Sequence, residues 1–106
     1  MPNAVLLEQI RRMVTERDWA QFHTPRNLAQ SISIEAGELL ECFQWDVDPA
    51  QGRVADELAD VVTYCYLLAD RMGVDVDELV AEKLARTEEK YPVDRAKGVN
   101  TKYDQL

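Results

Sequence analysis

The stretch TPRNLAQSISIEAGELLECFQW, residues 24–45, decides how this chain folds. Thr24 followed by Pro25 reads as an N-cap with proline at the first helical position, where a missing N–H has no helical partner to lose. Leu28, Ile32, Leu39 and Phe43 then recur at helical spacing, which predicts a helix from about Pro25 to Trp45 with one buried stripe. Glu35 falls inside that stripe. At about 100° per residue, Glu38 lies about 60° to one side, on the stripe's edge with Ser31 and Trp45.

A second helix of the same kind lies downstream in RVADELADVVTYCYLLADRM, residues 53–72, and stops at Gly73. Its stripe is Val54, Leu58, Val61, Cys65, Leu68 and Met72, and Glu57, Asp60 and Tyr64 run along one edge of it. Upstream, Ala4 to Trp19 carries Val5, Ile10, Met13 and Val14 near helical spacing. The polar segment from Asp46 to Gly52, with Pro49, reads as a loop. Asp75 caps a fourth helix that continues to about Lys90, where Tyr91-Pro92 ends it. The last fourteen residues show weak periodicity and read as an extended tail. Four helices, short connections, no repeats and no strand alternation predict an all-α, four-helix bundle-like fold, with residues 1–106 as one domain.

Charge narrows the function. Twenty acidic residues against twelve basic give a net charge of −8, which argues against a nucleic-acid polymer as partner. Residues 83–106 hold six Lys/Arg against four Asp/Glu, whereas residues 1–82 hold six against sixteen. A basic end after an acidic body suits the phosphates of a ligand whose metal sits in that body; a solvated helix end has the same composition. The start, Met1-Pro2-Asn3, has no basic segment leading into an apolar run, and no stretch approaches a membrane span. Cys42 and Cys65 sit in apolar-periodic segments without CxxC spacing, as reduced core thiols do. A cytoplasmic protein is expected.

Two helices thus each bring an acidic pair, Glu35/Glu38 and Glu57/Asp60, to the border of an apolar core. One such pair occurs in many helices by chance as exposed charge. Two pairs pressed toward their stripes would repel one another and suffer desolvation unless protonated or bound to a cation. Oxygen ligands without thiolate or imidazole suit a hard ion, Mg²⁺ or Mn²⁺, and Mg²⁺ keeps positions for water and phosphate oxygens. A di-iron bundle site would want E-x-x-H pairs, but the only histidine, His23, lies in the first loop. Trp19, Phe22 and His23 cluster at the end of the first helix, Tyr64 neighbours Asp60, and Trp45 follows Glu38 by two turns. Such rings could stack on a nucleobase, worth roughly 1–3 kcal/mol per base, or simply pack; the residues leave both readings open. For His23 alone, ahead of Pro25, a satisfied loop histidine is the simpler reading.

The arrangement Glu35-x-x-Glu38, eighteen residues, then Glu57-x-x-Asp60 resembles the all-α nucleoside triphosphate pyrophosphohydrolases of the MazG type. The stretches ERDWAQFH (16–23), PRN (25–27), EAGELLE (35–41), FQW (43–45), ELAD (57–60), KYP (90–92) and KY (102–103) look like their dCTP pyrophosphatase branch. The resemblance implies that Glu35, Glu38, Glu57 and Asp60 hold Mg²⁺, and that Glu35 or Glu38 takes a proton from the attacking water. It implies that Trp19 to His23, Trp45 and Tyr64 line a nucleotide pocket, and that Lys83 contacts phosphate. It further implies a dimer or dimer of dimers whose subunits share a pocket, hydrolysing dCTP or a related pyrimidine nucleotide to monophosphate and pyrophosphate. Two positions depart from the pattern: Thr87 stands where the family usually has Asn, and Ile10 where close relatives have a histidine near the substrate. Rival readings are the same fold acting on dUTP or phosphoribosyl-ATP, and a non-catalytic acidic module that binds a basic partner.

Overall fold

The computed structural model describes residues 4–106, so the chain start Met1-Pro2-Asn3 lies outside the described residues. Among the described residues there are five α-helices, two short 3-10 turns and no strand, as the all-α reading expects. They form two compact units, Met1–Val74 and Asp75–Leu106.

The first unit holds α1 (Ala4–Glu16), α2 (Pro25–Glu41) and α3 (Gln51–Arg71). Contact is most extensive between α2 and α3, while α1 packs more lightly on α3. Ile10 and Val14 of α1, Leu28 of α2 and Leu67 of α3 form the core, with Met13, Tyr64, Tyr66 and Leu68 against it. Leu28, only 1% exposed, is central, and its truncation to alanine costs about 2–5 kcal/mol by lost transfer energy and the cavity left behind. A forked ion pair ties α1 to α3. Arg11 Nε donates to Asp70 Oδ1 at 3.2 Å and Oδ2 at 3.0 Å, and Nη2 also donates to Oδ1. The pairing holds the Asp70 carboxyl below its usual range and the Arg11 guanidinium above its own.

Helix ends follow local chemistry. Thr24 accepts the Asn27 N–H at 3.1 Å and Pro25 occupies the first position, as its sequence requires. Helix α2 stops at Glu41, four residues short of the expected Trp45. The N–H groups of Cys42, Phe43 and Gln44 donate to Leu39, Leu40 and Glu41, tightening the last turns. Asp48 then donates its N–H to Asp46 Oδ1 at 3.0 Å, a local turn that competes with helix. Helix α1 stops at Glu16 rather than Trp19 because Asp18 turns left-handed, with φ +54°. Its N–H donates to Thr15 and that of Trp19 to Val14, both at 3.1 Å, a Schellman closure with aspartate in glycine's place. The same closure ends α3, this time with Gly73 at φ +73°. The left-handed aspartate costs about 1–2 kcal/mol, and the Gln21 side chain offsets part of this by donating to Asp18 O at 3.0 Å.

The expected stripes hold in part. Ile32, Leu39, Val54, Val61, Cys65 and Leu68 are half-buried, but Phe43, Leu58 and Met72 are exposed. Phe43 lies past the end of α2, and the two partner helices of this unit cannot cover every face of the 21-residue α3. Cys42 is buried and donates its thiol to Glu38 O at 3.7 Å; both cysteines are free thiols.

The second unit begins at Asp75, whose Oδ2 accepts the Glu78 N–H at 3.0 Å and caps α4 (Val76–Lys90). Its tail, expected from weak periodicity to be extended, is not extended throughout. Pro92 opens a single turn, α5 (Val93–Ala96), and a 3-10 turn spans Tyr103–Gln105. Between them the chain reverses at Gly98, φ +79°, which brings the Tyr103 ring edge-on to Tyr91 at 6.1 Å and under Lys90 Nζ at 4.7 Å. Ring packing and a cation–π contact supply what periodicity cannot reveal. Among the described residues no helix is long and apolar enough to cross a membrane.

Candidate active site

The pairing of α2 with α3 determines where the carboxylates go. Glu35 sits one turn before Glu38 on α2, and Glu57 one turn before Asp60 on α3. Glu35, Glu57 and Asp60 each offer one carboxylate oxygen, and the three atoms lie within 4.8 Å of one another. Glu38, expected as a fourth member, lies outside that trio and is exposed, although it is close enough to act on both other glutamates.

Electrostatics show the strain of this grouping. Glu35 is pushed up to about 7 by hydrogen bonding with Glu38, by burial, and by the negative charges of Glu38, Asp60 and Glu57. Glu57 is raised as well, first by burial and then by the charges of Glu38 and Asp60. Glu35 Oε2 and Glu57 Oε2 are buried and make no hydrogen bond. A buried acceptor left without a donor costs about 1–3 kcal/mol, more when charged. A divalent cation among these oxygens answers both problems at once, and an all-oxygen donor set fits Mg²⁺ or Mn²⁺.

Beside the carboxylates lies a cavity of about 270 Å³, lined by Met13, Trp19, His23, Asp60, Thr63, Tyr64 and Leu67. The structure therefore brings Trp19, His23 and Tyr64 together around a space that Asp60 also borders. Trp19 is held there by the Asp18 turn, and the Arg17 guanidinium lies 5.8 Å from its ring centroid. His23 is half-buried. Met13 and Thr63 were not foreseen as lining residues. Met13 read only as core, and Thr63 sits one position before the singled-out Tyr64.

Three expected residues stand elsewhere. Phe22 is 60% exposed and outside the cavity lining. Trp45 has left the helix on which it was placed with Glu38 and is 91% exposed in the single chain. Lys83 belongs to the second unit, on an exposed face of α4 with Leu79, Val80, Leu84 and Thr87.

Helices that gather carboxylates beside an aromatic-walled cavity define an all-α protein with a candidate cation site. The MazG-like family pattern matches residues 30–106. The chain is 41% identical to dCTP pyrophosphatase 1 of Mus musculus and 39% identical to that of Homo sapiens, each over 94% of this chain and 67% of the relative. A crystal structure of a pyrophosphatase from Archaeoglobus fulgidus superposes with a TM-score of 0.79 at 38% identity, over 87% of this chain and 94% of that one. The chain belongs to the MazG-like family.

Proposed function

We infer that this chain is a nucleoside triphosphate pyrophosphohydrolase that cleaves dCTP, or a related pyrimidine deoxynucleotide, to the monophosphate and pyrophosphate. The observation that carries this reading is the Glu35–Glu57–Asp60 trio, with two buried oxygens lacking donors, in a chain so similar to pyrophosphatases. Glu35, Glu38, Glu57 and Asp60 hold Mg²⁺ or Mn²⁺, which when bound offsets charge on the phosphates and lowers the pKa of water. Water attacks the α-phosphorus. The new P–O bond forms as the bond to the α,β-bridging oxygen breaks, and that oxygen leaves with pyrophosphate. Glu35 or Glu38 accepts the water's proton. Trp19 and Tyr64 stack on the base and His23 adds a polar contact.

The remaining features of the reading are supported less directly. The family match runs through both units, which favours residues 1–106 as one catalytic domain. The exposed Ile34, Leu40, Phe43, Trp45, Val47 and Val62 favour a homodimer or homotetramer, in which Trp45 reaches a shared pocket. A cytoplasmic enzyme acting on free nucleotides fits the acidic net charge.

The test is incubation with each common ribo- and deoxyribonucleoside triphosphate and Mg²⁺ in ¹⁸O-water. Pyrophosphate and ¹⁸O-labelled monophosphate are expected, with dCTP preferred. Stepwise release of orthophosphate excludes attack at the α-phosphorus. Release of nothing from any nucleotide leaves an acidic interaction module instead.

A further inference from the structure

The cavity beside Asp60 offers a base the aromatic rings of Trp19 and Tyr64 and the apolar walls Met13 and Leu67, but few groups that distinguish one base from another. The Thr63 hydroxyl is already donated to Ala59 O at 2.8 Å. A second cavity of about 250 Å³ shares His23 and Leu67 with the first, and here the charged groups stand: Arg11, Asp70 and Arg71. We propose that the Arg11–Asp70 pair at this adjoining cavity reads the Watson–Crick edge of the base and selects a pyrimidine bearing a 4-amino group over one bearing a 4-carbonyl. The proposal rests on the nucleotide reading of the Asp60 site and specifies its substrate.

Position comes first. Asp60, Thr63, Leu67 and Asp70 follow one stripe of α3, and ten residues separate the two aspartates by about 15 Å along the axis. A nucleotide whose α-phosphate meets the carboxylates extends along that stripe, base foremost, past Trp19 and Tyr64. Its far edge then arrives where the second cavity opens beside His23 and Leu67.

Chemistry comes second. Asp70 is fixed by Arg11 through both oxygens, and the pairing keeps it ionised at neutral pH. An ionised carboxylate only accepts, and its two oxygens have about four lone-pair sites. Oδ2 takes one bond from Arg11, at 3.0 Å, and retains capacity for another donor. The 4-amino group of cytosine is such a donor, and carboxylates pair with it readily. Uracil and thymine present an oxygen at that place, so two acceptors would face each other away from water, which is how polar sites reject near-isosteres. Arg71, in the last turn of α3 and in no ion pair among the described residues, can donate to the ring nitrogen or the 2-carbonyl.

The experiment compares kcat/KM for dCTP and dUTP in the parent, Asp70→Asn and Asp70→Glu, with a melting curve for each. The parent favours dCTP. In Asp70→Asn the new amide can donate to a 4-carbonyl, so the dCTP-to-dUTP ratio falls by about tenfold or more, through a loss on dCTP and a gain on dUTP. Asp70→Glu keeps the charge and the tie to Arg11 but displaces the carboxylate. It lowers the ratio without the gain on dUTP, and it carries the test if the Asn variant does not fold. A mere tie between α1 and α3 predicts lower melting temperatures with the ratio intact, and that result overturns the proposal. So does a parent that cleaves dCTP and dUTP alike, while the pyrophosphohydrolase reading stands. A parent that cleaves no triphosphate removes that reading itself.

Discussion

Glu35 carries the sharpest tension in the molecule, and its place was readable because it interrupts an apolar stripe between Ile32 and Leu39. Without metal its carboxyl is pushed up to about 7. A raised folded-state value means the native protein binds the proton more tightly than the unfolded chain, so this contribution is intact at pH 4 and lost as pH climbs through 7. In EDTA the parent should therefore lose more stability between pH 5 and pH 8 than Glu35→Gln, whose amide does not titrate. Equal losses, measured by melting at several pH values, would show that Glu35 is not strained. Asp70 works in the opposite direction: its depressed value stabilises above the usual carboxylate range and fails on acidification through that lower value. The aromatic residues were only half readable. Trp19 reached the cavity because Asp18 accepts a left-handed turn, which no periodicity announces; if it stacks on the base, Trp19→Ala weakens substrate binding by roughly 1–3 kcal/mol in a protein that still folds. Unchanged affinity would remove Trp19 from the base site. Ile10, where a histidine was the family expectation, is buried with Val14 and Leu28 and has no polar atom to offer a substrate.

Among the elements, starts were more legible than stops. Thr24-Pro25 and Asp75 declare themselves because a capping oxygen and a proline ring act within one turn of the chain. Thr24→Ala removes the acceptor of the Asn27 N–H and should cost about 1 kcal/mol, read as a lower melting temperature. If stability is unchanged, water caps α2 as well as the hydroxyl does. Gly73 was an equally clear stop. The ends at Glu16 and Glu41 were not, since a left-handed aspartate and an aspartate side-chain turn are choices made among several local minima. The tail illustrates another limit. Tyr91, Lys90 and Tyr103 meet across a dozen residues, and a contact between separated positions leaves no period in the sequence.

At the scale of the whole molecule, the proposed metal site would couple cation binding to stability. A cation that binds only the folded protein stabilises it by mass action, by about 2.7 kcal/mol at one hundred times its Kd. Mg²⁺ should thus raise the parent's melting temperature. Glu57→Gln should melt at least as high as the parent in EDTA, because repulsion is relieved, yet gain less from Mg²⁺ and lose activity by orders of magnitude. A variant that melts lower in EDTA but keeps the full Mg²⁺ shift and the activity would make Glu57 structural. The all-α class and the nearness of Glu35, Glu57 and Asp60 were legible in spacing, since helical period fixes which residues share a face, whereas Glu38 stands outside that trio. Which apolar residues stay exposed was not legible, because Leu58 and Met72 carry the same period as their buried neighbours.

The unequal surroundings of Trp45 and Trp19 give this chain an optical readout of its own. Trp45, 91% exposed in the single chain, should emit at long wavelength and be quenched readily by iodide; the proposed association between subunits would shield it. Trp19 lies against the Arg17 guanidinium at the cavity wall, so a base entering that cavity should alter its quantum yield first. With Trp45→Phe and Trp19→Phe recorded separately, one cuvette distinguishes ligand arrival from assembly.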